Sequence, residues 1–313
     1  MVTAQTQTPL TRRVVGENIW LSRAANEQAS LDAVAQLTAH DIRPEVLASE
    51  QAVGQAMLEE LEAIARAKDG DIVMILLGGR GAQAMHRLLG ERAQRGRDEL
   101  ITRLHVFTQD ALAPLRMASN LSFVRDFERL LGDAFFAQVK SFTPMQTDAP
   151  DLAAELTSYV QKLEAFGGAD IFFLGHGPEP EGASHLAYIR PGSGATAADV
   201  AGMIPISSSI LDHHITKFKA GGSTVTLEDE AECRRATHIL TLGPSVILSS
   251  KRIVQSIVDA STAPAKRQTF RRALETKIAD EPVERARQLD ANPGLWIRLH
   301  PNVRSLVLPD VLN

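Results

Sequence analysis

Two short apolar runs, each closed by a glycine-rich turn, constrain this chain most. Residues 71–77 read DIVMILL and stop at Gly78, Gly79, Arg80 and Gly81; residues 169–174 read ADIFFL and stop at Gly175, His176 and Gly177. Neither run alternates with polar residues, so both fit strands buried on two faces, as in a parallel sheet covered by helices. Between them lie amphipathic segments. Ser49 can cap a helix striped with Val53, Met57, Leu61 and Ile64. Residues 82–89 read as helical, residues 121–131 put Phe123, Phe127 and Leu130 on one face, and residues 152–166 do the same with Leu152, Leu156, Tyr159 and Leu163. Further strand candidates are residues 104–107, 238–242, 253–258, 295–299 and 305–308. Alternating strands and helices predict a doubly wound α/β fold, a mostly parallel sheet with helices on both faces. Residues 1–40 read as an N-terminal extension packed on the domain, with Val14, Val15, Ile19, Trp20 and Leu31 as its apolar positions, and residues 41–313 read as the domain itself.

Composition narrows the partners. A net charge of -5 gives no electrostatic case for nucleic acid, and an anionic ligand needs a local basic site. One cysteine, Cys233, excludes an internal disulfide and a cysteine metal cluster, and fits a cytoplasmic location. No apolar run reaches the roughly 18 residues of a membrane span, and the N-terminus lacks the apolar core of a secretory signal. No histidine spacing suits a metal, and the adjacent pair His213 and His214 is not expected to point to one site. Gly175-His176-Gly177 lacks the third glycine of a dinucleotide loop, and no Gly-Lys-Ser/Thr follows Gly81, so neither loop reads as a nucleotide site.

In an open parallel sheet, ligands bind outside the carboxyl ends of the strands, so the loops that follow the apolar runs are the candidate sites. Gly78, Gly79, Arg80 and Gly81 let a backbone approach an anion ahead of a helix N-terminus, with Arg80 as a bidentate partner; a plain tight turn explains them equally well. Asp110 follows a strand, where partial burial makes a carboxyl a proton carrier; as a lone aspartate it also fits a helix cap. His185 lies in the loop after Gly177, with Glu179 and Glu181 beside it, and is either a proton donor or a surface histidine. Lys266 opens a helix after the 253–258 run, either as an anion contact or as a solvated charge.

The order of these segments resembles the superfamily of glucosamine-6-phosphate deaminases and 6-phosphogluconolactonases. Those enzymes carry Gly-x-Gly-x-Asp-Gly-His, continued in the deaminases by Phe-Asn-Glu-Pro-Gly-Ser. Here the glycine pair, His185, Tyr188 and Pro191-Gly192-Ser193 match; seven residues separate Gly177 from His185, and Arg190 stands in place of the glutamate. Asp110 matches the first aspartate of an Asp-Glu-Tyr run, Gly79 the glycine of a Thr-Gly-Ser-Thr-Pro-like loop, and Lys266 a phosphate-contacting lysine. Lys217 and Lys219 lie where the deaminases carry a phosphate-binding arginine. Leu240–Leu248 and Leu299–Val303 resemble two further runs of the superfamily.

The resemblance implies aldose–ketose isomerisation or amino-sugar deamination of a sugar phosphate through an enol. Gly78, Gly79, Arg80, Gly81, Arg190 and Lys266 would hold the anion, Asp110 would move the proton, His185 would assist ring opening, and Glu181 would replace the displaced acid. It implies no metal and no organic cofactor. Lactone hydrolysis with His185 as donor or base, and a non-catalytic sugar-phosphate-binding module, are the alternatives. A homo-oligomer stays open.

Overall fold

The computed structural model describes residues 9–178, 184–261 and 263–312. A hairpin, β1 (Thr11–Val15) and β2 (Asn18–Ser22), leads to α1 (Glu27–Ala35). Then follow β3 (Glu45–Val46), α2 (Glu50–Ala67), β4 (Ile72–Leu76), α3 (Gln83–Gln94), β5 (Leu104–Thr108), β6 (Asp110–Ala113), α4 (Phe123–Phe136), β7 (Ser141–Thr143) and α5 (Leu152–Ala165). The second half holds β8 (Ile171–Pro178), β9 (Ser184–Leu186), β10 (Asp199–Pro205), α6 (Ser208–Ala220), α7 (Leu227–Cys233), β11 (His238–Leu242), α8 (Pro244–Ser249), β12 (Ile253–Ile257), α9 (Pro264–Glu275), α10 (Pro282–Ala291) and β13 (Val303–Val307).

The main sheet is parallel, in the order β3-β13-β12-β8-β4-β5-β7, with β9 added antiparallel to β8. Its strands alternate between two cores, as the period of two demands. Ile72, Met74 and Leu76 of β4, with Ile171 and Phe173 of β8, pack under α2, α3, α4 and α6. Val73, Ile75, Phe172 and Leu174 face the opposite core, which includes residues of α5, α9 and α10. The apolar runs lack alternation because both faces are covered, and the α/β fold with a mostly parallel sheet follows. Ser49 caps α2 as its sequence suggests, its hydroxyl accepting from the Ala52 N–H at 3.1 Å.

A second, antiparallel sheet of order β1-β2-β10-β11-β6 covers part of the second core. The sequence reading did not contain it, and it reassigns residues 238–242 from the parallel sheet to an antiparallel strand between β10 and β6. The expected strand at 295–299 is instead a buried 3-10 turn, Pro293–Leu299, whose continuous burial mimics a strand's. The N-terminal hairpin pairs with β10, and Trp20 is fully buried, its indole N–H donating to the Ser193 carbonyl at 3.0 Å. No helix among the described residues is long and apolar enough to cross a membrane.

Candidate active site

From β4 the chain moves to β5 and β7 on one side, then crosses back to place β8 on the other. This reversal is the topological switch point at which open α/β sheets bind ligands. A cavity of about 480 Å³ opens there, at the carboxyl ends of β4, β5, β8 and β12. Gly78, Gly79, Arg80 and Gly81 line it after β4, Asp110 after β5, Gly175, His176 and Gly177 along β8, and Ser256 and Asp259 after β12; Lys266 reaches in from α9. His213, His214 and Lys217 close it from α6, and Gln83 and Arg87 from α3.

Two glycines of the first loop are there for geometry. Gly79 has φ of 73°, the left-handed region that favours glycine. A Cβ on Gly81 would lie 2.9 Å from Leu77 Cδ2, and the Gly81 carbonyl accepts the Ser256 hydroxyl at 2.5 Å, tying the loop to β12.

Asp110 is the first residue of β6, where the chain leaves one sheet for the other. Its carboxyl is buried and faces the cavity wall. Burial lifts its pKa to about 7, against a Gln109 side-chain hydrogen bond that pulls it down. A carboxyl of that pKa can both take and return a proton near neutral pH.

Cations gather around the same cavity. Lys266 Nζ donates to Asp259 Oδ1 at 2.7 Å, both groups being buried. Burial raises the Asp259 carboxyl, but the charges of Lys266 and Lys217 and the Lys266 hydrogen bond outweigh it and leave it below its ordinary value. Burial, reinforced by Arg80 and Lys266, lowers Lys217. Burial and the two lysines push His213 down to about 4, so it is neutral at pH 7. Arg80, more exposed, donates through Nε and Nη2 to Glu50 Oε1 at 3.0 and 2.6 Å. This mixture of a poised carboxyl, several cations and a glycine loop can bind an anion and shift a proton beside it.

No protein-family model matches the chain. Curated relatives do, among them a glucosamine-6-phosphate deaminase of Porphyromonas gingivalis, 29% identical over 143 residues, 45% of this chain and 52% of the relative. Glucosamine-6-phosphate deaminase 1 of Bacillus subtilis is 27% identical over 192 residues, 56% of this chain and 62% of the relative. The chain thus spans about half the length of the first of them. Among solved structures, a monomeric glucosamine-6-phosphate deaminase superimposes with a TM-score of 0.65 at 20% identity, over 86% of this chain and 98% of that one. A 6-phosphogluconolactonase of Thermotoga maritima gives 0.58 at 16%, over 86% and 99%. The chain is thus similar in sequence, over about half its length, to glucosamine-6-phosphate deaminases, and it shares its fold with such a deaminase and with a 6-phosphogluconolactonase.

Of the site residues expected from the resemblance, two lie elsewhere. His185 is 1% exposed and, among the described residues, does not border the cavity. The β8–β9 hairpin pairs it with Gly177, and its ring packs edge-on against Tyr188 at 5.2 Å between centroids. Tyr188 lines the cavity in its place. It sits with Ala187 in a two-residue turn between Leu186 and Ile189, both at positive φ (57° and 48°). That geometry favours glycine or asparagine; here the Ala187 N–H donates to the Gly175 carbonyl at 3.1 Å and the Ala187 carbonyl accepts the Thr241 hydroxyl. Arg190 turns away from the cavity and donates to the Pro205 carbonyl at the end of β10, at 2.9 Å. Glu179 and Glu181 lie outside the described residues. Gly78, Gly79, Arg80, Gly81, Asp110 and Lys266 all line the one cavity.

The sequence reading discounted the pair His213 and His214, matched Lys217 only loosely and gave His176 no role. His213 and His214 both border the cavity, because successive helical residues are only about 100° apart and the cavity is wide. His214 uses Nε2 to donate to the Leu121 carbonyl at 2.7 Å. Lys217 lines the cavity whereas Lys219 pairs with Glu230 outside it. The four-residue spacing of His213 and Lys217 was the available signal that they share a face. His176 is buried and held neutral, with a pKa of about 3. Its Nε2 accepts from the Gln255 amide, whose oxygen accepts the Ser305 hydroxyl at 2.6 Å.

Proposed function

We propose that this chain is a divergent member of the glucosamine-6-phosphate deaminase and 6-phosphogluconolactonase superfamily and an enzyme that moves a proton between adjacent carbons of a sugar phosphate, as an aldose–ketose isomerase or an amino-sugar-phosphate deaminase. One observation carries the reading: a buried aspartate with a carboxyl poised near neutrality, Asp110, borders the same cavity as Arg80, Lys217 and Lys266. In this scheme the three cations and the 78–81 loop hold the phosphate. Asp110 removes the C2 proton to give an enol and returns it to C1. Enolisation is favoured over lactone hydrolysis because the histidine that would activate water, His185, is sheltered behind Tyr188.

The test measures C2 proton exchange over a panel of sugar phosphates, beside ammonia release from glucosamine-6-phosphate and hydrolysis of 6-phosphogluconolactone. Exchange is expected, falling by about 10²–10⁴-fold in Asp110→Asn, the range of one general acid–base step. Lactone hydrolysis without exchange would reassign the chain to the lactonases. Sugar-phosphate binding with neither activity would make it a binding module.

A further inference from the structure

Gln109 joins the two sheets at the point where the candidate base is mounted. Its N–H donates to the Leu76 carbonyl at the end of β4, at 2.9 Å, and its carbonyl accepts from the Leu242 N–H at the end of β11, at 3.1 Å. The backbone is therefore fixed from both sheets. Its side chain is buried and makes two contacts: Oε1 accepts the Gly175 N–H at 3.3 Å, and Nε2 donates to Asp110 Oδ2. The Gly175 N–H can only donate, so it commits the amide oxygen to β8 and turns the NH₂ toward Asp110.

We propose that Gln109 is the positioning residue of this site, aiming the Asp110 carboxyl at the cavity and stabilising its ionised form. The proposal rests on the reading of Asp110 as the base. Among the described residues no charged side chain is hydrogen-bonded to Asp110. Tyr159, the titratable group nearby on α5, accepts from the Thr108 N–H at 2.8 Å and donates to the Thr108 carbonyl at 2.5 Å. On β11, Thr241 stands opposite Asp110 and gives its hydroxyl to Ala187. Arg80, His213, Lys217 and Lys266 border the cavity, with Asp259 and Glu50 beside them. The amide thus supplies the direct hydrogen bond that offsets burial. A donor to a carboxylate is stronger than the same donor to a neutral acid, so it biases the proton equilibrium as well as the orientation.

The experiment follows the Asp110 carboxyl directly, by carbon-13 NMR titration without substrate, and separately records the pH profile of C2 exchange. In Gln109→Met, similar in length and without a donor, the Asp110 midpoint is expected to rise by about one pH unit, and the acid limb of exchange to move with it. In Gln109→Glu the single titration should split into two steps, since two adjacent carboxyls share protons. Unmoved midpoints in both folded variants would overturn the positioning role, whatever the activity. A moved midpoint with no exchange in the native chain would keep that role and overturn the catalytic reading instead. Should Gln109→Met not fold, the Gln109→Glu titration decides alone.

Discussion

Two buried aspartates at opposite edges of the parallel sheet are treated in opposite ways. Asp170, just before β8 at the amino edge, and Asp110, at the carboxyl edge, are each 3% exposed. Asp170 Oδ2 accepts from Lys68 Nζ at 2.6 Å and from the Val73 N–H at 2.8 Å, and Oδ1 accepts from Lys251 Nζ at 2.8 Å. Burial raises its pKa, but the two lysines and the amide outweigh burial and leave it below the usual carboxylate range. Asp110 has one neutral donor, and burial wins. Equal exposure therefore does not decide protonation; how deeply the carboxyl is enclosed and the number and charge of its donors do. The amino edge satisfies its acid fully and serves stability. The carboxyl edge leaves its acid close to neutrality, where it can exchange protons.

The comparison can be broken first at Asp170. Replacement by alanine leaves the Val73 N–H buried without its acceptor and removes two lysine contacts. The lysines are partly exposed and screened, so the loss is set at about 2–4 kcal/mol at pH 7, read by denaturant unfolding. A depressed folded pKa contributes stability that is present above the unfolded value of about 4 and lost as pH falls through the folded one. The gap between native chain and variant should therefore narrow as pH falls below about 4. A gap that stays constant as the pH is taken further down would mean that packing, not charge, accounts for the loss.

Asp110 carries the opposite sign. Its folded pKa of about 7 lies above the unfolded value, so the stability it contributes is fully present below about pH 4 and declines as pH rises to 7. Asp110→Asn, neutral throughout, should be more stable than the native chain at pH 8 by about 1–3 kcal/mol, with the gain gone below about pH 4. Thermal unfolding across that range tests it. Lower stability of the variant at pH 8 would show that the ionised carboxyl is well accommodated, and the contrast with Asp170 would fail. A gain in stability together with lost exchange would be the expected cost of holding an acid ready for chemistry.

What the sequence showed of this fold was the part with two-sided burial. Residues 71–77 and 169–174 had to be covered on both faces, and the parallel sheet followed. The antiparallel sheet stayed hidden because its strands come from distant parts of the chain. β1 has exposed and half-buried positions, β6 spans only Asp110–Ala113, and β10 includes Gly202 and Pro205. Loops following strongly apolar strands were placed well: Gly78–Arg80–Gly81 and Asp110 meet because the strand ends that carry them meet. His185 and Arg190 were displaced by a local event that motif spacing does not report, the return of β9 along β8. Asp259 and Gln109 went unnoticed because a residue whose role is to hold another has no motif of its own.

The smallest effect is expected at the rim, where Arg80 meets Glu50. The side chains are 41% and 34% exposed, in contrast to both buried aspartates. Exposed pairs contribute little, and Glu50→Gln should change stability by no more than about 0.5 kcal/mol. Its effect on binding should be the larger one. Glu50 neutralises one of the cations assigned to the anion, so removing its charge should raise affinity for inorganic phosphate a few-fold at low salt. That gain should shrink as added salt screens a group open to solvent. Calorimetric titration at two ionic strengths separates this from an orienting role. If Glu50 instead holds the Arg80 guanidinium in the direction that phosphate needs, affinity would drop in Glu50→Gln and drop equally at both salt concentrations. The rim would then resemble the amino edge, where an acid and its cation form a fixed structure, and the division of the sheet into a stabilising edge and a chemical edge would have to be redrawn with Glu50 on the side of order.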